Sequence, residues 1–217
     1  PAGTEFNKID ISPVDTELVK TVTISDLYGF MVYCKDELNN NTATRARKTS
    51  TLRIFFKYMS VQTHRLETNP AELLESPKVK QSLPKHLTLE NSLDLLNAVD
   101  GANERRDYCI LTLFLNCGLR LSELCGLNLS DISTDGIITV TGKGNKERSV
   151  YLNDSCKTAI KRYLEVRPNE GLPVTEKNAL FISRNHRRLS PKTVQYIVKT
   201  TLAKAGLGGQ GFSTHKL

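Results

Sequence analysis

Apolar residues in this chain recur at two different periods, and the change of period marks its parts. Near the start, "VDTELVKTVTISDLYGFMVYCKDEL" places Leu27, Phe30, Met31 and Cys34 at helical spacing, with Ser25 as the expected N-cap. After the polar break "NNNTAT", the stretch "RARKTSTLRIFFKYM" carries Leu52, Phe55, Phe56 and Met59 at i, i+3, i+4 and i+7. That stripe predicts a second helix with one buried face, leaving Arg45, Lys48, Arg53 and Lys57 to solvent or a ligand. Pro70, Pro77 and Pro84 then interrupt a segment of little apolar periodicity, from about residue 75 to 86, which reads as a connection between domains.

Thr88 is the expected cap of the next helix. "RRDYCILTLFLNCG" is apolar on nearly every face, which predicts a central buried helix stopped by Gly118. Ser122 is expected to cap a short helix ending near Leu127. The period then drops to two in "GIITVTGKGNKERSVYL", where Ile138 and Val140 should pair against Val150 and Leu152 across "GKGN" in a hairpin. Helical spacing returns in "DSCKTAIKRYLEVR" and "SPKTVQYIVKTTLAKAG"; in the latter Ser190 caps, Pro191 takes the first helical position and Gly206 ends the helix. The fold class expected is mainly α with a small antiparallel β-sheet. The expected organisation is a helical domain at 7–80, a linker at 81–86 and a second domain at 87–217. Residues 1–6, "PAGTEF", read as a cloning scar outside the fold.

Composition narrows the class. The 217 residues are 39% hydrophobic and 24% charged, as in an ordinary folded protein, and no apolar run approaches the roughly 20 residues of a membrane span. Five cysteines without a C-x-x-C pair read as reduced, buried thiols of a cytoplasmic protein, with no metal site. The net charge of +7 favours a polyanionic partner only mildly. Its distribution says more, because Arg45, Arg47, Lys48, Arg53, Lys57 and Arg65 lie in a stretch from Asn40 to Arg65 without an Asp or Glu. Such a face is either solvated or set against phosphates.

Three further residues stand out singly, each with an ordinary alternative. Arg120, in "NCGLRLSELCGLNLSDI", is either paired with an acid such as Glu123 or held out for an anion. Lys143 sits between two glycines at the expected hairpin tip, with Lys146 and Arg148 behind it; it either reaches a substrate or is solvated. His215, near Phe212 and Leu217, is either a core histidine or a catalyst.

In their order, "GLRLSEL…LSDI…GKGNKERSVYL…LFIS…LS…STHKL", these segments resemble the tyrosine recombinase family, closest to bacterial Xer-type recombinases and related phage or transposon integrases. The N-terminal helices are similar to the family's helical SAM-like core-binding domain, and the remainder to its catalytic domain, the fold of DNA breaking-rejoining enzymes. The resemblance implies that Arg120 grips the scissile phosphate, Glu123 orients it, Lys143 acts as general acid to the departing 5′-oxygen and His215 opens the family's H-x-L-R-H motif. Fixed cations stabilise the charge that gathers on a phosphodiester in its transition state, so no metal or cofactor is implied. Arg45, Arg47, Lys48, Lys146 and Arg148 should line the DNA-facing side of a two-domain clamp. The implied partners are a duplex recombination site and further copies of the chain. For the full-length family the resemblance implies a tetrameric synapse on DNA, and without DNA a monomeric chain is the expectation. The second arginine and the nucleophilic tyrosine of the motif fall beyond Leu217, so the 217-residue chain itself is expected to bind DNA without cutting it. A non-catalytic protein occupying recombination sites is the alternative.

Overall fold

The computed structural model describes residues 10–80, 86–142, 144, 146–214 and 217. The chain divides into two compact units, Pro1–Ser82 and Leu83–Leu217. Of the expected linker 81–86 only His86 is among the described residues, and the expected scar 1–6 lies outside them.

The first unit is helical: α1 (Thr16–Lys20), α2 (Ile24–Asp36) and α3 (Thr42–Lys57), the last running into a π-helical turn at Tyr58–Gln62. Leu27, Phe56, Met59, Leu66, Ala71 and Leu74 form its core, with Leu52 packed against it. The expected apolar face is narrower than its spacing suggested, since Phe30 and Phe55 are exposed. Thr49, outside that stripe, is fully buried on α3, its hydroxyl donating to the Arg45 carbonyl at 3.1 Å and lying 3.7 Å from Met31 Sδ on α2.

The N-cap of α2 is Thr23, not Ser25. Thr23 Oγ1 accepts from the Asp26 N–H at 3.3 Å, and Asp26 Oδ2 accepts from the Thr23 N–H at 2.9 Å. A cap must stand one residue before the helix, and an acid three residues on strengthens it by closing a capping box; Thr23 has Asp26, whereas Ser25 lies inside the first turn.

The second unit holds α4 (Leu89–Asn97), α5 (Glu104–Cys117), α6 (Leu121–Gly126), β1 (Ile137–Thr141), β2 (Glu147–Tyr151), α7 (Asp154–Leu164) and α8 (Pro191–Lys204), with short 3-10 turns at Leu129–Asp131 and Val174–Glu176. As its all-round apolar pattern predicts, α5 is central. Cys109, Ile110, Leu111, Leu113 and Phe114 are buried, and α4, α7 and α8 pack around it. Thr88 and Ser190 cap α4 and α8, accepting from Asn91 N and Thr193 N. Gly118 ends α5 in a left-handed conformation, φ 55°, which a glycine adopts without steric penalty. All five cysteines are free. Burial pushes the Cys125 thiol up to about 11, and Cys109 higher still, so both stay protonated at neutral pH.

Two sequence expectations shift by a step. The N-cap of α6 is Arg120, not Ser122, because the carboxylate that takes the first free N–H belongs to Glu123. In the hairpin the pairing is shifted from the expected one: Ile138, not Val140, lies opposite Val150, Val140 lies opposite Arg148, and Leu152 falls beyond the strand with its N–H on the Gly136 carbonyl. The Gly142 N–H bonds the Lys146 carbonyl at 2.8 Å, which closes the hairpin over three residues instead of four and sets that register.

Replacing Thr23 with alanine should lower stability by about 1 kcal/mol, while Ser25→Ala should stay within about 0.5 kcal/mol of the parent. Urea unfolding measures both, and a larger loss at Ser25 would overturn the assignment of the cap.

Candidate active site

The turn between α5 and α6 is "GLRLSEL", residues 118–124. Leu119 and Leu121 are both buried, and Arg120 between them is extended, with φ −71° and ψ 153°. Successive side chains in extended backbone point to opposite sides, so anchoring the two leucines drives Arg120 outward. Its side chain is 67% exposed.

Glu123 is the opposite case, with a side chain only 1% exposed. Its carboxylate accepts from the Arg120 N–H (Oε2, 2.7 Å) and from Arg120 Nη1 (Oε1, 2.8 Å). Arg148 Nη2 donates to Oε2 at 3.0 Å, and Arg148 Nη1 lies 3.2 and 3.3 Å from the two oxygens. Burial pushes the Glu123 carboxyl up. The backbone and side-chain bonds from Arg120 and the charges of Arg148 and Arg120 outweigh it, holding the group below its ordinary range. Glu123 is therefore an anion at neutral pH. Among the described residues Arg120 Nε and Nη2 meet no acceptor, so one edge of that guanidinium is open.

The hairpin approaches this pair closely. A Cβ placed on Gly142 would lie 3.4 Å from Glu123 Oε1 and 3.5 Å from Arg120 Nη1. Lys146 follows, exposed, and the alternation of β2 turns Arg148 and Val150 inward. Lys143 and His215 lie outside the described residues; Phe212 and Leu217, on either side of His215 in sequence, pack on the main core. The expected DNA-facing residues are thus differently placed. Arg47 and Lys146 are exposed, whereas Arg45 is half-buried, its Nε shielded and without a partner among the described residues. Lys48 is turned onto its own unit, 3.3 Å from Cys34 Sγ and 5.4 Å over the Phe30 ring.

Arg188 has a role at α6 that its sequence context hides. Its Nη1 donates to the carbonyls of Cys125, Gly126 and Leu127 at 3.1, 2.8 and 2.9 Å, and Nη2 to Asn128 Oδ1 at 2.6 Å. In the run "RNHRR" it reads as one more solvated charge, and no period distinguishes it. Arg188 holds the last carbonyls of the helix whose first turn carries Glu123.

Chemically, the site offers a forked cation with a free edge, held by a buried anion, with Gly142 at the end of β1 close beside the pair. Such a fork fits two oxygens of a phosphate. Among the described residues no group of three or more His, Cys, Asp or Glu side chains could hold a metal ion, and no helix is long and apolar enough to cross a membrane.

Glu123→Gln should destabilise the protein by about 2 kcal/mol at pH 7. That is less than the loss of one partner from a fully buried pair, because both guanidiniums are part-exposed. A carboxyl with a depressed folded pKa contributes stability above its unfolded pKa, about 4.3, and loses it as pH falls through the folded value. The gap between parent and variant should hold above about pH 5 and shrink below about 4.3; a gap constant down to pH 3 in urea titrations would contradict this.

Comparison with known proteins agrees with the geometry. The phage integrase family profile matches residues 85–217. The tyrosine recombinase XerC of Caldanaerobacter subterraneus subsp. tengcongensis is 50% identical over 212 residues, 98% of this chain and 59% of that protein. XerC of Thermodesulfovibrio yellowstonii is 42% identical over 163 residues, 72% of this chain and 54% of that protein. The chain thus spans less than two thirds of the length of these relatives. Among solved structures, the XerH site-specific recombinase bound to its palindromic difH substrate is similar with a TM-score of 0.74 at 20% identity, covering 91% of this chain and 60% of that one. A lambda integrase dimer bound to a core site gives 0.69 at 19% identity, covering 91% and 71%. At those identities the structures speak for the fold, and it is the match over residues 85–217 that decides membership: the chain belongs to the phage integrase family.

Proposed function

We propose that this chain is the DNA-binding and phosphate-gripping part of a site-specific tyrosine recombinase, which cuts and rejoins duplex DNA through a 3′-phosphotyrosyl intermediate. The observation that carries the reading is Arg120, held by the buried Glu123 carboxylate with one guanidinium edge open. A fixed cation of this kind stabilises the charge gathering on the non-bridging oxygens of a phosphodiester without reorganising during the reaction. The curated relatives named above are tyrosine recombinases, which supports the same chemistry.

In this reading Arg120 binds the scissile phosphate, Lys143 protonates the leaving 5′-oxygen and His215 stands beside the same phosphate. The tyrosine nucleophile lies outside the seven tyrosines of this chain. The bond energy of the cleaved diester is conserved in the phosphotyrosyl link, so rejoining needs no nucleotide cofactor. Both units contact duplex DNA, the first through the acid-free face bearing Arg45, Arg47 and Lys48, the second through Lys146. The working assembly is a tetramer of recombinase copies on paired sites, formed in the cytoplasm, where the substrate lies; without DNA the chain is a monomer. A lambda integrase tetramer bound to a Holliday junction is among the structures of similar fold.

The 217-residue chain should bind a two-armed, roughly palindromic duplex and leave no covalent adduct on a nicked suicide substrate. The gene product extended through the family's tyrosine should form that adduct, and Arg120→Ala should abolish it. Replacing Arg45, Arg47 and Lys48 by alanine should flatten the dependence of log affinity on log salt, by about 0.9 for each phosphate no longer neutralised. Binding without adduct by the extended protein would leave the non-catalytic reading, and an adduct on the shorter chain would place the nucleophile among its seven tyrosines.

A further inference from the structure

Arg148 stands on β2, two residues beyond Lys146, in a run of charged side chains that reads as a DNA-facing edge. The register of the hairpin sends it the other way. It lies opposite the buried Val140, on the inward side of the strand, and both terminal nitrogens are taken. Nη1 and Nη2 grip the two oxygens of Glu123, and Nη2 also donates to the Gly118 carbonyl at 3.1 Å. Gly118 is the left-handed stop of α5, two residues before Arg120. One guanidinium thus ties the hairpin to both ends of the turn that presents Arg120.

We infer that Arg148 is a positioning residue for phosphate chemistry, a strut from the hairpin that fixes Glu123 and the Gly118 turn so that Arg120 keeps one edge free for the scissile phosphate. The inference rests on the recombinase reading of the site and adds a role within it. Three features support it. Glu123 has two oxygens and both are shared, so with Arg148 satisfying one side, Arg120 needs only Nη1 and its backbone N–H to hold the carboxylate. Without Arg148, the buried carboxylate would need more of the Arg120 fork, closing the edge that binds substrate. The strut also roots β2 beside Glu123, and Gly142, at the end of β1, already lies close against the same pair. The hairpin that carries Lys143 therefore starts from a fixed base, set against the arginine it would have to cooperate with.

A lysine cannot reproduce this, since a single ammonium lacks the planar fork that spans two carboxylate oxygens and a carbonyl. Direct phosphate binding and a strut make opposite predictions. In the 217-residue chain, Arg148→Gln should cost no more DNA affinity and salt slope than Arg120→Ala does and add nothing to that loss in the double variant, while carbon-detected NMR should find the Glu123 carboxyl titrating at higher pH than in the parent. In the gene product extended through the tyrosine, adduct formation at saturating suicide DNA should fall roughly 100-fold in Arg148→Gln. The acid limb of its pH profile should move up, toward the new Glu123 titration. Arg148→Lys should restore the position of that limb but not the rate. An additive loss of affinity and of about 0.9 in salt slope, with an unchanged rate at saturation, would overturn the inference and make Arg148 a DNA-binding residue. A uniform loss of rate at every pH, with the Glu123 titration unmoved, would overturn it too, leaving only a structural role. Should the parent extended protein form no adduct, the recombinase reading fails, and an unmoved Glu123 titration in the shorter chain would still dismiss the strut by itself.

Discussion

A buried carboxylate organises the second unit of this protein around the turn before α6. Moving the charge of Glu123 out of water is costly, and only partners that are themselves charged and well aimed offset that cost. Two guanidiniums supply them, one from the turn before α6 and one from β2. An apolar residue at position 123 would avoid the desolvation, but it would leave the Arg120 guanidinium without its carboxylate and Arg148 with only the Gly118 carbonyl to tie the hairpin to the turn. Elements distant in sequence meet at this one anion, and the open edge of Arg120 is what remains after its demands are met.

How much of this could be read in the sequence depends on how local the physics is. The central helix α5 was legible because its apolar pattern is unbroken, and its end because a glycine follows the last apolar turn. Thr88 and Ser190 were legible as caps because each stands directly before a periodic run. Thr23 and Arg120 were not, since in both cases the acid three residues on, Asp26 or Glu123, decides where the helix begins. The hairpin itself was plain from its alternation, but its register was set by a single bond from Gly142 to Lys146. Once that register moved, Arg148 changed partner, and no propensity in the strand records the change. Arg188 is the extreme case: its acceptors lie about 60 residues back along the chain, at the end of α6.

The first unit shows the limits of counting charges. Its third helix has no acid, yet its basic residues are not equivalent. Lys48 lays its stem and ammonium over Phe30 and Cys34, so part of its charge serves its own fold, while Arg47 is exposed. Phe30 in turn sits at the surface despite its helical spacing with buried neighbours, with a cation over one face of its ring. A basic helix of this kind mixes residues that hold the domain together with residues open to a partner, and only the side-chain environment separates them.

The pairing of Val140 with Arg148 divides the hairpin into parts that tolerate different changes over evolutionary time. Residues between Gly142 and Lys146 belong to the tip, and a chain lengthened there keeps the strands in step. One residue gained or lost between Lys146 and Arg148 would turn the guanidinium to the outer face and bring a neighbour of different chemistry against Glu123. Lineages related to this chain should therefore vary freely in tip length while the spacing from the closing pair to the inward arginine stays constant, a rule about gaps rather than about residue identity.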